Sequence, residues 1–301
     1  MLKKVLRNLR GLAVFSANTI NTVIMFVPIM IFALLKFLVP IQSFRNVMTA
    51  WIMAVGEIWI AMNAVIFAIG SRTEWDVRGL EGLGRQDWYL VISNHQTWVD
   101  IVVLQTVLNR RIPFLKFFIK RELIWFPFLG LAWWAMDMPF MKRYSKSYLA
   151  KHPEKKGEDL EATRVACQKF RDTPTSVINF VEGTRFTEEK KARRASTFEY
   201  LLPPRAGGVA LALSSMGDMF DAILDVTIVY PRGPVQFWAM VCGEFEHVIV
   251  DIVRRPIAAE IYQGDYENDR QFRKDFHQWL TRIWEEKDQK IRQIRNSLLA
   301  D

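Results

Sequence analysis

Apolar residues fill the first seventy positions in two long blocks. After Lys3, Lys4, Arg7 and Arg10 no charge appears until Lys36, so residues 11–35 are uncharged. At 1.5 Å per residue such a run spans roughly 37 Å as a helix, enough to cross a hydrocarbon core of about 30 Å. Lys36 and Arg45 bracket a short turn containing Pro40, and residues 46–71 follow with Glu57 as their one charge. The pattern predicts a helical hairpin in or on a membrane. Asn18, Asn21, Glu57 and Asn63 interrupt the apolar blocks, which suits a hairpin dipping into one leaflet as well as two full crossings. A buried helical pair in a soluble core would show the same composition. A signal peptide fits poorly, because the run is too long and no small-residue cleavage site follows it directly. Four basic residues before the first block, against two in the turn, favour a cytoplasmic N-terminus. Either geometry returns the rest of the chain to the cytoplasmic side, and the expected location is the cell's inner (cytoplasmic) membrane.

From Glu74 onward the periodicity changes. Short runs rich in Val, Ile, Phe and Tyr recur as Trp88–Ser93, Met138–Met141, Ser176–Val181, Ile223–Tyr230, Val235–Val241 and His247–Val253. Each is bounded by Gly, Pro or charge, as strands are. Between them, Asp159–Phe170 carries Leu160, Ala166, Cys167 and Phe170 on one helical face and is followed by Pro174. Arg270–Leu298 places Phe272, Phe276, Trp279, Leu280 and Ile283 on one stripe and dense charge on the other. Tyr144–Gly157 is a polar, basic linker. The alternation predicts an α/β domain over residues 72–301 behind a hairpin over residues 1–71.

The bulk numbers narrow the partners. The 301 residues carry a net charge of +8 with 21 Phe and 11 Trp, a basic and aromatic-rich chain drawn to polyanions such as lipid headgroups. Nucleic acid is disfavoured, since no binding module is recognisable and the hairpin holds the chain at a membrane. Cys167 and Cys242 sit in apolar-periodic segments and read as buried hydrophobes of a reducing compartment. His95, His152, His247 and His277 show no metal-ligand spacing, so no metal site is expected.

Four islands carry candidate chemistry. In WYLVISNHQTWVD a buried strand ends on Asn94-His95, with Asp100 five residues on. Residues five apart differ by about 140° around a helix, so the two side chains meet only if His95 lies in the turn and Asp100 on the first turn of the next helix. A carboxylate on one ring nitrogen fixes the tautomer and frees the other as a base. The plainer alternative is a helix cap with a half-buried histidine. In VINFVEGTRF a second strand runs into Glu182-Gly183-Thr184-Arg185, where glycine permits a tight turn and arginine offers a fork for phosphate oxygens. MPFMKR ends a third run on Lys142 and Arg143, and VTIVYP closes a fourth on Pro231. Residues 142–205 hold 15 Lys/Arg against 9 Asp/Glu, which suits an anionic substrate or membrane surface.

Together the islands resemble the PlsC-type glycerophospholipid acyltransferase family, whose blocks are an N-H-x4-D box, a short strand ending in Arg, an F-x-E-G-T-R box and an apolar strand with Pro. The resemblance covers roughly residues 74–235, and the hairpin is similar to the family's two-helix membrane motif. Val181 stands where the family often has Pro, and Lys142 where many members have an acid. MKR, with LPPR at Leu202–Arg205, is closer to the branch of lysocardiolipin-type acyltransferases and bacterial YihG-like proteins.

The resemblance implies a membrane-anchored glycerolipid acyltransferase-type αβ domain. It would transfer an acyl chain from acyl-CoA or acyl-carrier protein to a lysophospholipid, 1-acyl-glycerol-3-phosphate first among them, without a bound cofactor. His95 would be the base and Asp100 its partner. Arg185 would bind the acceptor phosphate, with Gly183 and Thr184 permitting its approach. Glu182 would shape the turn or touch glycerol hydroxyls. Lys142 and Arg143 are second candidates for anionic groups, and Lys120 is a further one. The aromatic segment Phe114–Trp134 would line an acyl channel or pack a core. Lysocardiolipin and lysophosphatidylglycerol are alternative acceptors. A lipid hydrolase would need a nucleophile, and no G-x-S-x-G elbow occurs. A non-catalytic membrane scaffold would leave the His95/Asp100 and Glu182–Arg185 boxes unexplained.

Overall fold

The computed structural model describes residues 1–141, 170 and 173–300. Lys142, Arg143, the linker Tyr144–Gly157 and nearly all of the helix expected over Asp159–Phe170 lie outside the described residues. Two long antiparallel helices, α1 (Leu2–Leu38) and α2 (Gln42–Gly70), form the hairpin. The remaining elements alternate around a mixed sheet. They are β1 (Glu74–Arg78), β2 (Tyr89–Ser93), α3 (Val99–Leu108), β3 (Leu115–Phe117), β4 (Ile119–Lys120), α4 (Leu129–Ala135), β5 (Phe140–Met141) and β6 (Ser176–Phe180). After these come α5 (Glu188–Arg193), α6 (Ala206–Met216), β7 (Ala222–Val229), α7 (Phe237–Val241), β8 (His247–Arg255), α8 (Ala259–Tyr262) and α9 (Arg270–Ala300).

The main sheet runs β1-β8-β7-β2-β6-β3, parallel throughout except for the antiparallel β7–β8 pair. Strand β2 lies near its centre and is buried on both faces. Its side chains alternate, as a strand's period of two requires. Leu90 and Ile92 join a core with α6 and α9, while Tyr89 and Val91 join one with α3. A near-continuous apolar run is what a strand covered on both faces needs. Helix α9 locks onto the sheet through a buried ion pair, Lys287 Nζ to Asp225 at 2.6 Å, and Lys287 also donates to the Val226 carbonyl at 2.6 Å.

The hairpin is docked along its length. Val14 of α1 belongs to the core around α3, so the hairpin shares apolar packing with the globular part. Arg7 pairs with Glu244 at 2.8 Å and Lys36 with Asp137 at 2.6 Å, which fixes both ends of α1 to the globular part. The one acid of α2, Glu57, is buried and faces Arg85 at 2.6 Å and Arg110 at 3.6 Å. Gly56 lets Phe114 approach, since a Cβ there would stand 2.8 Å from that ring. The outer surfaces are apolar: Ile20, Ile24, Val27, Ile31 and Leu34 of α1 and Trp51, Met62 and Val65 of α2 are exposed. Both helices are long and apolar enough to cross a membrane.

Two expected strands change. Val235–Val241 is not a strand; its second part forms the short helix α7, whose Trp238, with Cys242 just beyond the helix, packs on Gly11 of α1. A short apolar run does not distinguish strand from helix by periodicity, and here docking against the hairpin decides. Met138–Met141 shortens to Phe140–Met141, which pairs with β4 in a separate two-stranded sheet. Strands β1 and β3 and helix α6 were not anticipated.

Candidate active site

Strand β2 ends at Ser93, and the chain then turns through Asn94–Trp98 before α3 begins. Asn94 shapes this turn. Its side-chain amide donates to the Ile228 carbonyl and accepts from the Ile228 N–H, both at 2.9 Å, extending the β2–β7 ladder beyond the last paired residue. His95 thus emerges at the carboxyl end of a central strand, where open α/β sheets place their sites. Asp100 lies in the first turn of α3, as the spacing required.

His95 Nδ1 stands 2.8 Å from Asp100 Oδ2. The same oxygen accepts the Thr97 N–H at 2.9 Å and the Gln96 N–H at 2.5 Å, while Oδ1 accepts the Tyr230 hydroxyl at 2.6 Å. A fully buried carboxylate with these donors is an acceptor, so Nδ1 carries the hydrogen and Nε2 holds the free lone pair. Nε2 has no hydrogen-bond partner among the described residues. Burial, and then Asp100, push the Tyr230 phenol well above its ordinary pKa, so it stays a hydrogen-bond donor. The His95 ring stacks on Phe180, with centroids 4.0 Å apart.

Phe180 ends β6, and the turn that follows is clamped to the first island. The Phe186 N–H donates to the His95 carbonyl at 2.7 Å. The Glu182 carboxyl is fully buried, accepting the His95 N–H at 3.0 Å and the Leu202 N–H at 3.0 Å. Burial pushes this carboxyl up to about 8, against the pull of those two N–H groups. Both oxygens therefore face backbone inside the protein, in the turn-shaping alternative and away from glycerol hydroxyls. Gly183 has φ +66°, a conformation a side chain would strain. Thr184 Oγ1 accepts from Lys190 Nζ at 3.0 Å. Arg185 is exposed, its guanidinium 4.8 Å from the centre of the Trp98 ring.

Trp98 links this polar turn to an apolar cavity of about 780 Å³ between the hairpin, α3, α4 and α7. Its walls include Phe15 and Trp59 of the hairpin, Ile101 and Val102 of α3, and Leu123, Phe126, Pro127, Phe128 and Trp133. Part of the aromatic segment Phe114–Trp134 thus lines a cavity, whereas Phe114 itself packs in a core against α2. Lys120 ends β4 in the small sheet, exposed and outside the hydrogen-bonded cluster. The structure brings together His95, Asp100, Glu182, Gly183, Thr184 and Arg185.

Sequence reasoning gave no site role to Tyr230, Phe180, Asn94 and Trp98. A tyrosine closing a fully buried strand was the available signal, since a buried phenol needs a partner. It also passed over the support from α9. There the Asp288 carboxylate accepts the N–H groups of Glu199 and Tyr200 at 2.9 and 2.8 Å, and the Trp284 indole donates to the Leu202 carbonyl at 3.1 Å. Leu202 in turn donates to Glu182, so α9 helps to set the backbone under His95.

A histidine held by a buried carboxylate, with a cation on one side and an apolar cavity opening beyond an exposed indole, suits an enzyme that moves an acyl group onto a hydroxyl. A family model described as Acyltransferase matches residues 74–231, just over half of the chain, and the chain belongs to that family. The protein is an acyltransferase. It is 24% identical to the human 1-acyl-sn-glycerol-3-phosphate acyltransferase delta over 281 residues, covering 86% of this chain and 67% of the relative. Against mouse lysocardiolipin acyltransferase 1 it is 28% identical over 218 residues, which cover 67% of this chain and 53% of that one. This chain therefore spans between half and two thirds of these relatives. The crystal structure of the 1-acyl-sn-glycerophosphate acyltransferase PlsC from Thermotoga maritima shares the fold, with a TM-score of 0.56 at 15% identity over 97% of this chain and 98% of that one.

Proposed function

We propose that this acyltransferase esterifies a lysophospholipid, 1-acyl-glycerol-3-phosphate being the first candidate acceptor, with acyl-CoA or acyl-carrier protein as donor. The observation that carries the reading is the His95–Asp100 pair, with Nε2 of His95 left free at the edge of the Arg185 turn. His95 Nε2 takes the proton of the acceptor hydroxyl as that oxygen attacks the thioester carbonyl. Asp100 stabilises the imidazolium that forms, and the imidazolium then protonates the departing thiolate. No covalent enzyme intermediate is needed. Arg185 binds the acceptor phosphate, and Trp98 leads the acyl chain into the apolar cavity. The names of the relatives support both a lysophosphatidate and a lysocardiolipin acceptor.

The same reading places the protein on the cytoplasmic face of the inner membrane. The docking of α1 supports insertion into one leaflet rather than two crossings. Arg7 and Lys36 lie roughly 43 Å apart along the helix, and both are paired to the globular part. A crossing would carry Glu244 and Asp137 to opposite faces of the bilayer.

The test is an acceptor panel with purified protein and labelled acyl-CoA: lysophosphatidate, glycerol-3-phosphate, lysophosphatidylglycerol and lysocardiolipin. Transfer to a lysophospholipid, with KM for that acceptor raised at least tenfold by Arg185→Ala, is the expected result. An equal effect of Arg185→Ala on an uncharged monoacylglycerol would remove Arg185 from phosphate binding. Silence across the panel with both acyl-CoA and acyl-carrier protein would overturn the reading.

A further inference from the structure

Two more arginines close on the turn that carries Arg185. Arg194, just after α5, donates through Nη1 to the Glu182 carbonyl at 3.1 Å. Arg205, just before α6, lies over Gly183: a Cβ on that glycine would stand 3.0 Å from its Cδ and 3.8 Å from its Nη1. The missing side chain is what leaves room for the Arg205 side chain against Gly183. Its own backbone is fixed by a hydrogen bond from the Arg205 N–H to the Val181 carbonyl at 2.8 Å.

Neither Arg194 nor Arg205, nor the adjacent Arg193, has a carboxylate within ion-pair distance among the described residues. Elsewhere cations are answered whatever their exposure: exposed Arg85 and Arg110 by Glu57, and half-buried Arg255 and fully buried Lys287 by Asp225. Burial first, and then Arg205 and Arg193, draw Arg194 below its ordinary pKa, as crowded like charges do. Lys190 is already engaged by Thr184 and by the Arg185 carbonyl, so it does not fill the gap. Two guanidinium groups at one turn, Arg194 anchored on the Glu182 carbonyl and Arg205 packed over Gly183, with donors to spare and no ion-pair partner among the described residues, are arranged for phosphate oxygens.

We propose that Arg194 and Arg205 form a second phosphate subsite beside Arg185, so that the catalytic complex holds two phosphate groups at one turn. This inference rests on the reaction proposed above. Arg185 is two residues from Gly183, at most ~7 Å of extended chain, so both subsites belong to one turn. The second phosphate has two possible sources: an acceptor whose glycerol is phosphorylated at both ends, or the nucleotide phosphates of a CoA donor.

The experiment compares wild type, Arg205→Gln and Arg205→Lys as full-length protein in detergent. Acceptors with one and with two phosphates are offered, and so are acyl-CoA and acyl-pantetheine as donors. Arg205→Gln is expected to raise one KM about tenfold with kcat within twofold, and Arg205→Lys to recover part of it. A rise confined to the two-phosphate acceptor assigns the subsite to the acceptor. A rise for acyl-CoA that is absent with acyl-pantetheine assigns it to the donor. Unchanged KM values throughout, or a loss in kcat alone, would overturn the proposal. Calorimetric titration with inorganic pyrophosphate reads the subsite without turnover, with wild type binding and Arg205→Gln binding about tenfold more weakly. No pyrophosphate binding by wild type would sink the subsite even where transfer is normal. Binding without transfer would leave the subsite standing and sink the reaction.

Discussion

Asp100→Asn isolates the charge of the dyad from its geometry. Asp100 Oδ2 accepts the N–H groups of Gln96 and Thr97 as well as His95 Nδ1, and Oδ1 faces the Tyr230 hydroxyl. An asparagine oxygen at Oδ2 keeps all three donors, and its amide then meets a hydroxyl that rotates to accept. The opposite flip would set the amide hydrogens against two backbone N–H groups. The fold and the His95 tautomer are therefore retained, and the loss is that of the negative charge beside the nascent imidazolium. At about 4 Å between charge centres and an effective dielectric of ~20, that charge stabilises the imidazolium by about 4 kcal/mol. Each ~1.4 kcal/mol is tenfold, so single-turnover transfer should slow by about 10³ while the acceptor KM stays nearly constant. The measurement is rapid-quench formation of labelled product, beside thermal unfolding of both proteins. A slowing of less than tenfold in a stably folded variant would refute the role given to Asp100.

Tyr230→Phe removes a 2.6 Å hydrogen bond to a buried carboxylate and leaves the His95 contact in place. Denaturant unfolding should show a loss of ~2 kcal/mol, with kcat down about tenfold; unchanged stability would contradict the geometry. Glu182→Gln should be destabilising at pH 5.5, because its amide must set a donor against either the His95 or the Leu202 N–H. The wild-type carboxyl is raised from 4.5 to about 8, so folding binds a proton in that interval and wild-type stability falls as pH rises through it. The gap between the two proteins should therefore narrow towards pH 8.5, by about 1.4 kcal/mol per unit at most, and a widening gap would refute the assignment. Ile24→Glu with Ile31→Glu alters two exposed positions of α1 without touching the core. Liposome partitioning should fall at least tenfold, and undiminished binding would move the anchoring role to the basic surface.

What the chain's pattern revealed, and what it hid, follows from the range of each interaction. His95 and Asp100 are five residues apart, and a strand followed by a helix start is enough to bring them together. The hairpin was legible because 25 uncharged residues in a row leave few alternatives. Glu182 reaches the His95 backbone across 87 positions, and Tyr230 reaches Asp100 across 130. No local period encodes either meeting, although the buried tyrosine needed some partner. Strand β1, with Glu74, Asp76 and Arg78, has no apolar run to mark it, and its strand is fixed by pairing with β8. The run FWAMV was misassigned because its packing surface is α1, more than 200 residues earlier. Arg205 lay within the LPPR segment already singled out, but its position over Gly183 depends on α6 beginning where it does.

The central claim is that His95 removes the proton from the acceptor hydroxyl. Its most direct test is single-turnover transfer from labelled acyl-CoA to lysophosphatidate, wild type beside His95→Ala, with folding checked by circular dichroism. The account predicts product from wild type and a loss of at least about 10³ in the folded variant, with no acyl group on the protein at any time. Transfer by His95→Ala within tenfold of wild type, or an acyl-enzyme on the path, would contradict it.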